Sequence, residues 1–77
     1  ENEMNNAIED KSVIALKETA ETKYWIRLLY AAEYLSRQEF DSILSDCIEL
    51  EKLLTAIIKA VKDNQSFSIF NCQFSIP

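Results

Sequence analysis

The sequence predicts an all-α fold: an antiparallel helical hairpin that is oligomeric or forms half of a larger bundle. The 77 residues include no glycine and one terminal proline, so nothing interrupts long helices. Apolar residues recur at spacings of three, four and seven along two stretches, which a helix start signal at Ser36 separates. A chain of this length is one domain at most. Its core alone supplies roughly 3–5 kcal/mol, so self-association is expected to add burial.

The first predicted helix covers about residues 11–33. From Val13 onward, apolar residues advance by threes and fours, which is the period of one helical face. Residues 1–10 are expected to form a polar N-terminal lead-in. Within it, the spacing of Met4 and Ile8 also fits early turns of the same helix.

The C-terminal half of this first helix is apolar on two flanks. Within residues 24–32 only Arg27 is charged, and Trp25 and Leu29 lie beside the apolar face that contains Tyr24. One neighbouring helix covers a stripe of little more than a quarter turn. The second flank therefore calls for further helices, from another copy or from the rest of a larger bundle.

The second predicted helix covers about residues 37–63 and begins at a capping box. In this motif the Ser36 side chain accepts the N–H of Glu39, and the Glu39 carboxylate accepts the N–H of Ser36. Leu35 and Phe40 occupy the two positions of a hydrophobic staple across the same boundary. The short loop before this helix predicts that the two helices fold back antiparallel.

Residues 11–65 are thus predicted to form one helical hairpin, and residues 66–77 an uncharged extended tail. The tail has alternating apolar residues, which leaves open the alternative of an edge strand. In the hairpin, large apolar residues on the helical faces are the candidate core or interface anchors. These anchors are Tyr24, Trp25, Leu28, Leu29, Ile43, Leu50, Leu54 and Ile57.

The charge distribution gives two opposing indications. A net charge of −5 works against sequence-independent binding to phosphate backbones. In an antiparallel hairpin, however, Lys11 comes opposite Lys59, with Lys17 and Lys62 nearby, and these lysines are a candidate anion or nucleic-acid contact. Acidic neighbours such as Glu9 dilute the positive charge of these lysines. The alternative interpretation is therefore ordinary scattered surface charge.

The residue types exclude most catalytic classes. Without histidine there is no Ser-His or Cys-His nucleophile pair, and without glycine there is no phosphate-cradling loop. Carboxylate pairs such as Glu18 and Glu21 are typical of any solvated helix face. We therefore expect no enzymatic activity, no catalytic or metal-binding residues and no cofactor.

The cysteines and the hydropathy indicate a compartment. Cys47 and Cys72 do not form a disulfide framework, so a reducing cytoplasm is expected, with Cys47 as a buried thiol on the apolar face. No apolar run approaches the roughly 20 residues that span a bilayer, so no membrane partner is expected.

Several stretches resemble a known family. The sequences IALKETAETKYWIRLL at 14–29 and ELEKLLTAIIK at 49–59, with Tyr34-Leu35 and Glu39-Phe40 between them, resemble the bacterial four-helix-bundle family first noticed in ribosomal-RNA intervening sequences. The resemblance covers the C-terminal half of that family, and it implies the last two helices of an up-and-down bundle.

The same resemblance carries expectations about function. The family is similar in fold to the accessory protein of diversity-generating retroelements, a pentamer that works with a reverse transcriptase and its RNA. Glu33 stands where the family usually has glycine. A residue with a Cβ costs about 1 kcal/mol there if the backbone is left-handed.

Together these observations predict a non-enzymatic, self-associating helical bundle or scaffold protein. The alternative is a nucleic-acid-associated accessory protein that uses a basic end of the bundle, with RNA or a reverse transcriptase as its partner. The expected homo-oligomer is either a dimer of hairpins or a pentamer of complete bundles.

Overall fold

A computed structural model describes residues 2–63, which form two antiparallel α-helices. Helix α1 spans Asn2–Ala31 and helix α2 spans Arg37–Lys62, with a loop of residues 32–36 between them. Within residues 2–63 there is no strand, and the predicted all-α class is confirmed for this part of the chain. The predicted tail, residues 66–77, lies outside the described residues.

Helix α1 begins at Asn2 rather than near Lys11, so most of the predicted polar lead-in is helical. This stretch contains no helix breaker, and polar residues on an exposed helix face carry only small propensity costs. Glu3 also places negative charge in the first turn, where it interacts favourably with the helix dipole. Met4 and Ile8 therefore belong to α1.

Helix α1 ends in a Schellman motif. The N–H of Tyr34 donates to the carbonyl oxygen of Leu29 at 2.8 Å, and the N–H of Glu33 donates to that of Tyr30 at 3.0 Å. Glu33 has a φ angle of 67°, in the left-handed region. Because a Cβ makes this conformation costly, the position favours glycine.

Helix α2 begins at a capping box. The N–H of Glu39 donates to Ser36 Oγ at 3.0 Å, and the N–H of Ser36 donates to Glu39 Oε1 at 2.9 Å. Close to this cap, the rings of Tyr30 and Phe40 stack with centroids 4.6 Å apart. Backbone bonds, cap bonds and ring contact thus hold the loop end of the hairpin together.

The two helices pack along residues that repeat every seven positions, which we call the buried line. This spacing is typical of helices that cross at a small angle and pack as a coiled coil. The buried thiol predicted at Cys47 is confirmed. The buried line consists of Ser12, Thr19 and Ile26 on α1 and of Cys47, Leu54 and Val61 on α2.

The contact between the helices includes polar groups that have partners. Thr19 Oγ1 donates to the carbonyl oxygen of Ala15 at 2.8 Å, so its hydroxyl is satisfied inside α1. Lys23 Nζ binds Glu51 Oε1 at 2.8 Å, with both side chains largely shielded from solvent. Among the described side chains, no buried nitrogen or oxygen lacks a hydrogen-bond partner.

The substitution Glu33→Gly is expected to raise the free energy of unfolding by about 1 kcal/mol, because glycine adopts a positive φ without the Cβ penalty. The greater freedom of glycine in the unfolded chain offsets part of the gain. Urea unfolding followed by circular dichroism measures the difference.

Glu33→Ala is the matched control, since it removes the same carboxylate but keeps a Cβ. Both variants relieve the unfavourable contact between a negative charge and the C-terminal end of α1. If alanine stabilised the chain as much as glycine does, charge rather than backbone conformation would explain the gain.

The substitution Lys23→Met is expected to lower the free energy of unfolding by about 2 kcal/mol, because it leaves the partly buried Glu51 carboxylate without its partner. The double substitution Lys23→Met with Glu51→Leu is expected to recover most of this loss, since no uncompensated charge then remains. Urea unfolding of the single and double variants tests this. A double variant no more stable than the single one would contradict the explanation.

Candidate interaction surface

Several of the largest apolar side chains of α1 are exposed and lie outside its contact with α2. Trp25 is 59% exposed and Tyr24 is 58% exposed, and Leu28 and Leu29 of the next turn are also exposed. The two rings contact each other edge to face, with centroids 5.5 Å apart. Clustered apolar side chains on a surface are typical of an interaction site.

The predicted anchors fall into three groups. Leu54 is buried in the hairpin core, while Ile43 and Ile57 are half-buried. The remaining anchors are exposed, and they are Tyr24, Trp25, Leu28, Leu29 and Leu50.

Helical periodicity divides α1 into two sides about the buried line. With 3.6 residues per turn, a residue four positions after a member of that line lies to one side, and a residue three positions after lies to the other. From Thr19 these residues are Lys23 and Thr22, respectively. From Ile26 the same rule places Leu29 on the side of Thr22.

The same rule divides α2. From Cys47 it places Glu51 on one side and Leu50 on the other. Because Glu51 binds Lys23, the corresponding sides of the two helices lie together. The hairpin therefore has a charged side, defined by Lys23 and Glu51, and an uncharged side, defined by Leu29, Ile43, Leu50 and Ile57.

The lysines predicted to contact an anion are distributed around one half of the hairpin. Lys62 Nζ lies 3.8 Å from Glu9 Oε2, which places the end of α2 beside the start of α1. Lys11, Lys17 and Lys59 are exposed. One of the four lysines thus has a carboxylate neighbour, and the nucleic-acid contact stays a prediction.

An open groove with a volume of about 450 Å³ lies along α2 next to Glu51. Two lysines are among its lining residues, and its acidic residue is already bound to Lys23. The residues that line it are Ile48, Glu51, Lys52, Thr55, Ala56 and Lys59.

Polar contacts near the loop connect the end of α1 to the start of α2. Arg37 Nε donates to both carboxylate oxygens of Asp41 at 3.1 Å. A side-chain hydrogen bond with Tyr30, followed by the contact with Asp41, raises the pKa of Arg37 above its ordinary value. Arginine is charged at neutral pH in any case, so this cluster is structural and does not transfer protons.

The described residues bring together few groups capable of chemistry. Within residues 2–63 there is no cluster of three or more acidic, histidine or cysteine side chains that could hold a metal ion. Neither described helix is long and apolar enough to cross a membrane. What the described surface offers is apolar area and charge.

The face of α1 that contacts α2 differs from the face that apolar periodicity predicts. The predicted apolar series runs through Val13, Tyr24 and Leu28, but all three side chains are exposed. The contacting face contains the small polar residues Ser12 and Thr19, which a search for large apolar groups passes over. Their seven-residue spacing and the opposite charges of the central ion pair are the signals that could have revealed it.

Comparisons with protein-family models, with curated proteins and with solved structures found no match. The geometry of the hairpin is therefore the basis for a functional proposal.

Proposed function

We propose that this chain is a non-enzymatic scaffold module that self-associates through the apolar surface of its helical hairpin. The observation that carries the proposal is the exposure of Trp25 and its neighbours on α1, joined by Leu50 on α2. Aromatic side chains that are left in water on one helix and matched by leucines on the next are typical of the centre of a protein interface.

The energetics support association of hairpins. A Trp or Tyr buries 150–250 Å² when fully covered, so covering the exposed half of Trp25 or Tyr24 removes about 100 Å² from water. At about 25 cal/mol per Å² each ring contributes about 2.5 kcal/mol. Because the hairpin has one line of contact between its helices, such burial adds a substantial part of its free energy of folding.

The molar mass of the chain in solution tests the proposal. We expect light scattering after size exclusion to give a multiple of the 8.9 kDa monomer at micromolar concentration. Trp25 is the single tryptophan, so its fluorescence emission is expected to shift to the red on dilution as the oligomer dissociates. A monomer at all concentrations, with constant emission and cooperative unfolding, would reject self-association.

A second candidate function has one observation in its favour. Lys52 and Lys59 line the groove along α2, and the carboxylate of Glu51 in the same groove is paired with Lys23. This arrangement is suited to contact with the phosphates of an RNA, although the net charge of −5 opposes it.

Fluorescence anisotropy with a labelled single-stranded RNA at about 50 mM salt tests this second function. Binding is expected to weaken steeply as salt increases, and the double substitution Lys52→Gln with Lys59→Gln is expected to abolish it. Lys23→Gln is not a suitable control because it removes the ion pair with Glu51, so Arg27→Gln, at an exposed position of α1 outside the predicted lysine contact, serves instead. Absence of binding at low salt would remove the candidate.

A further inference from the structure

A second set of residues with coiled-coil spacing lies on α1 at the outer edge of the uncharged side. One series repeats every seven positions and consists of Met4, Lys11, Glu18 and Trp25. A parallel series lies four positions further on, nearer to α2, and runs from Ile8 to Leu29. Alternating steps of four and three residues form the seam by which one helix packs against another.

This second seam is exposed at both ends. Met4 is 65% exposed and Trp25 is 59% exposed, with Ile8 and Leu29 also exposed beside them. Ala15, in the middle of the seam, is half-buried and small, so a neighbouring helix can approach closely there. A partner helix that covered both ends of the seam would therefore bury most of its apolar surface.

The order of residues along the seam indicates what that partner is. From the N-terminal end it presents an apolar group, a positive charge, a negative charge and an apolar group, as Met4, Lys11, Glu18 and Trp25. An identical helix in the opposite direction presents the complementary order. In a parallel pair, Lys11 would meet Lys11 and Glu18 would meet Glu18, which is unfavourable.

We propose that a second copy of this chain docks antiparallel on this seam, with α1 against α1. Met4 and Ile8 then pack against Leu29 and Trp25 of the second copy, and Lys11 lies near Glu18 of the second copy. The two-fold symmetry forms each contact twice. This arrangement rests on the proposed function, and it specifies the surface and the direction of self-association.

The uncharged side has the area that such a dimer needs. Each helix is about 40 Å long, and packed helices lie about 10 Å apart, so the face of the hairpin covers about 800 Å². A standard interface buries about 800 Å² on each partner. The α2 half of the face adds Leu50, which is 44% exposed, and the half-buried Ile43 and Ile57. The product is a four-helix bundle made of two hairpins.

A matched pair of substitutions on α2 tests the surface. Leu50 and Ile48 are two positions apart and similarly exposed, at 44% and 39%, but they lie on the uncharged and charged sides, respectively. We expect Leu50→Glu to weaken the dimer at least 100-fold in sedimentation equilibrium, because it buries a carboxylate without a partner. Ile48→Glu is expected to change the dissociation constant less than threefold. Circular dichroism confirms that both variants remain helical.

Exchange of charges on α1 tests whether the second copy docks antiparallel or parallel. In an antiparallel dimer, Lys11→Glu and Glu18→Lys each replace two attractive contacts by two repulsive ones, and we expect about tenfold weaker association for either variant. The variant with both substitutions is expected to return to within threefold of the original chain, and the two single variants are expected to form a heterodimer when mixed. Lys17→Glu controls for the change in net charge. In a parallel dimer, Lys11→Glu would exchange one repulsion for another and have little effect.

The outcomes separate this inference from the proposed function. A chain that is monomeric at all concentrations would overturn both. An oligomer that tolerates Leu50→Glu but dissociates with Ile48→Glu would show that the uncharged side is not the interface. The proposal that the chain self-associates would remain. A monomer whose Trp25 emission shifts to the red only after deletion of residues 64–77 would contradict the proposal. It would indicate that the chain's own C-terminal segment, and not a second copy, covers the seam.

Discussion

The contact between α1 and α2 determines the character of the rest of the molecule. On α1 this contact uses Ser12 and Thr19, and it contains the Lys23–Glu51 ion pair. Small and polar groups bury little apolar area, and the contact leaves Tyr24, Trp25 and Leu29 of α1 exposed. Those side chains remain on the outside, and the surface that results is the basis for the proposed assembly.

The ion pair in this contact also favours one rotation of the two helices about their axes. Two helices with several apolar flanks can pack in several rotations that bury similar area. A rotation that shielded Lys23 against another flank of α2 would leave its charge without a partner, which costs more than a small loss of apolar contact. The apolar flanks that this selection leaves free include those of Leu29 and Leu50.

Local signals in the sequence were sufficient for the number of helices, the start of α2 and the turn, but not for the start of α1. The absence of glycine, the periodicity and the box at Ser36 and Glu39 act over a few residues, and each corresponds to a feature of the described fold. The rotation of α1 about its axis was not accessible in this way, because it depends on the pairing of Lys23 with a residue 28 positions away. The anchors on α1 were therefore found as apolar residues, but the side they occupy became clear only from the packing.

The two ends of the hairpin differ in how firmly they are joined. The loop end combines the Schellman bonds, the capping box and the stacked rings of Tyr30 and Phe40, whereas Glu9 and Lys62 approach each other at 3.8 Å across the open end. In an isolated hairpin, fraying would begin at the open end and proceed toward the turn, so amide hydrogens near Met4 would exchange before those near Phe40. An antiparallel second copy would bring its firm end beside the loose end of the first, and assembly would even out this gradient of local stability along the bundle.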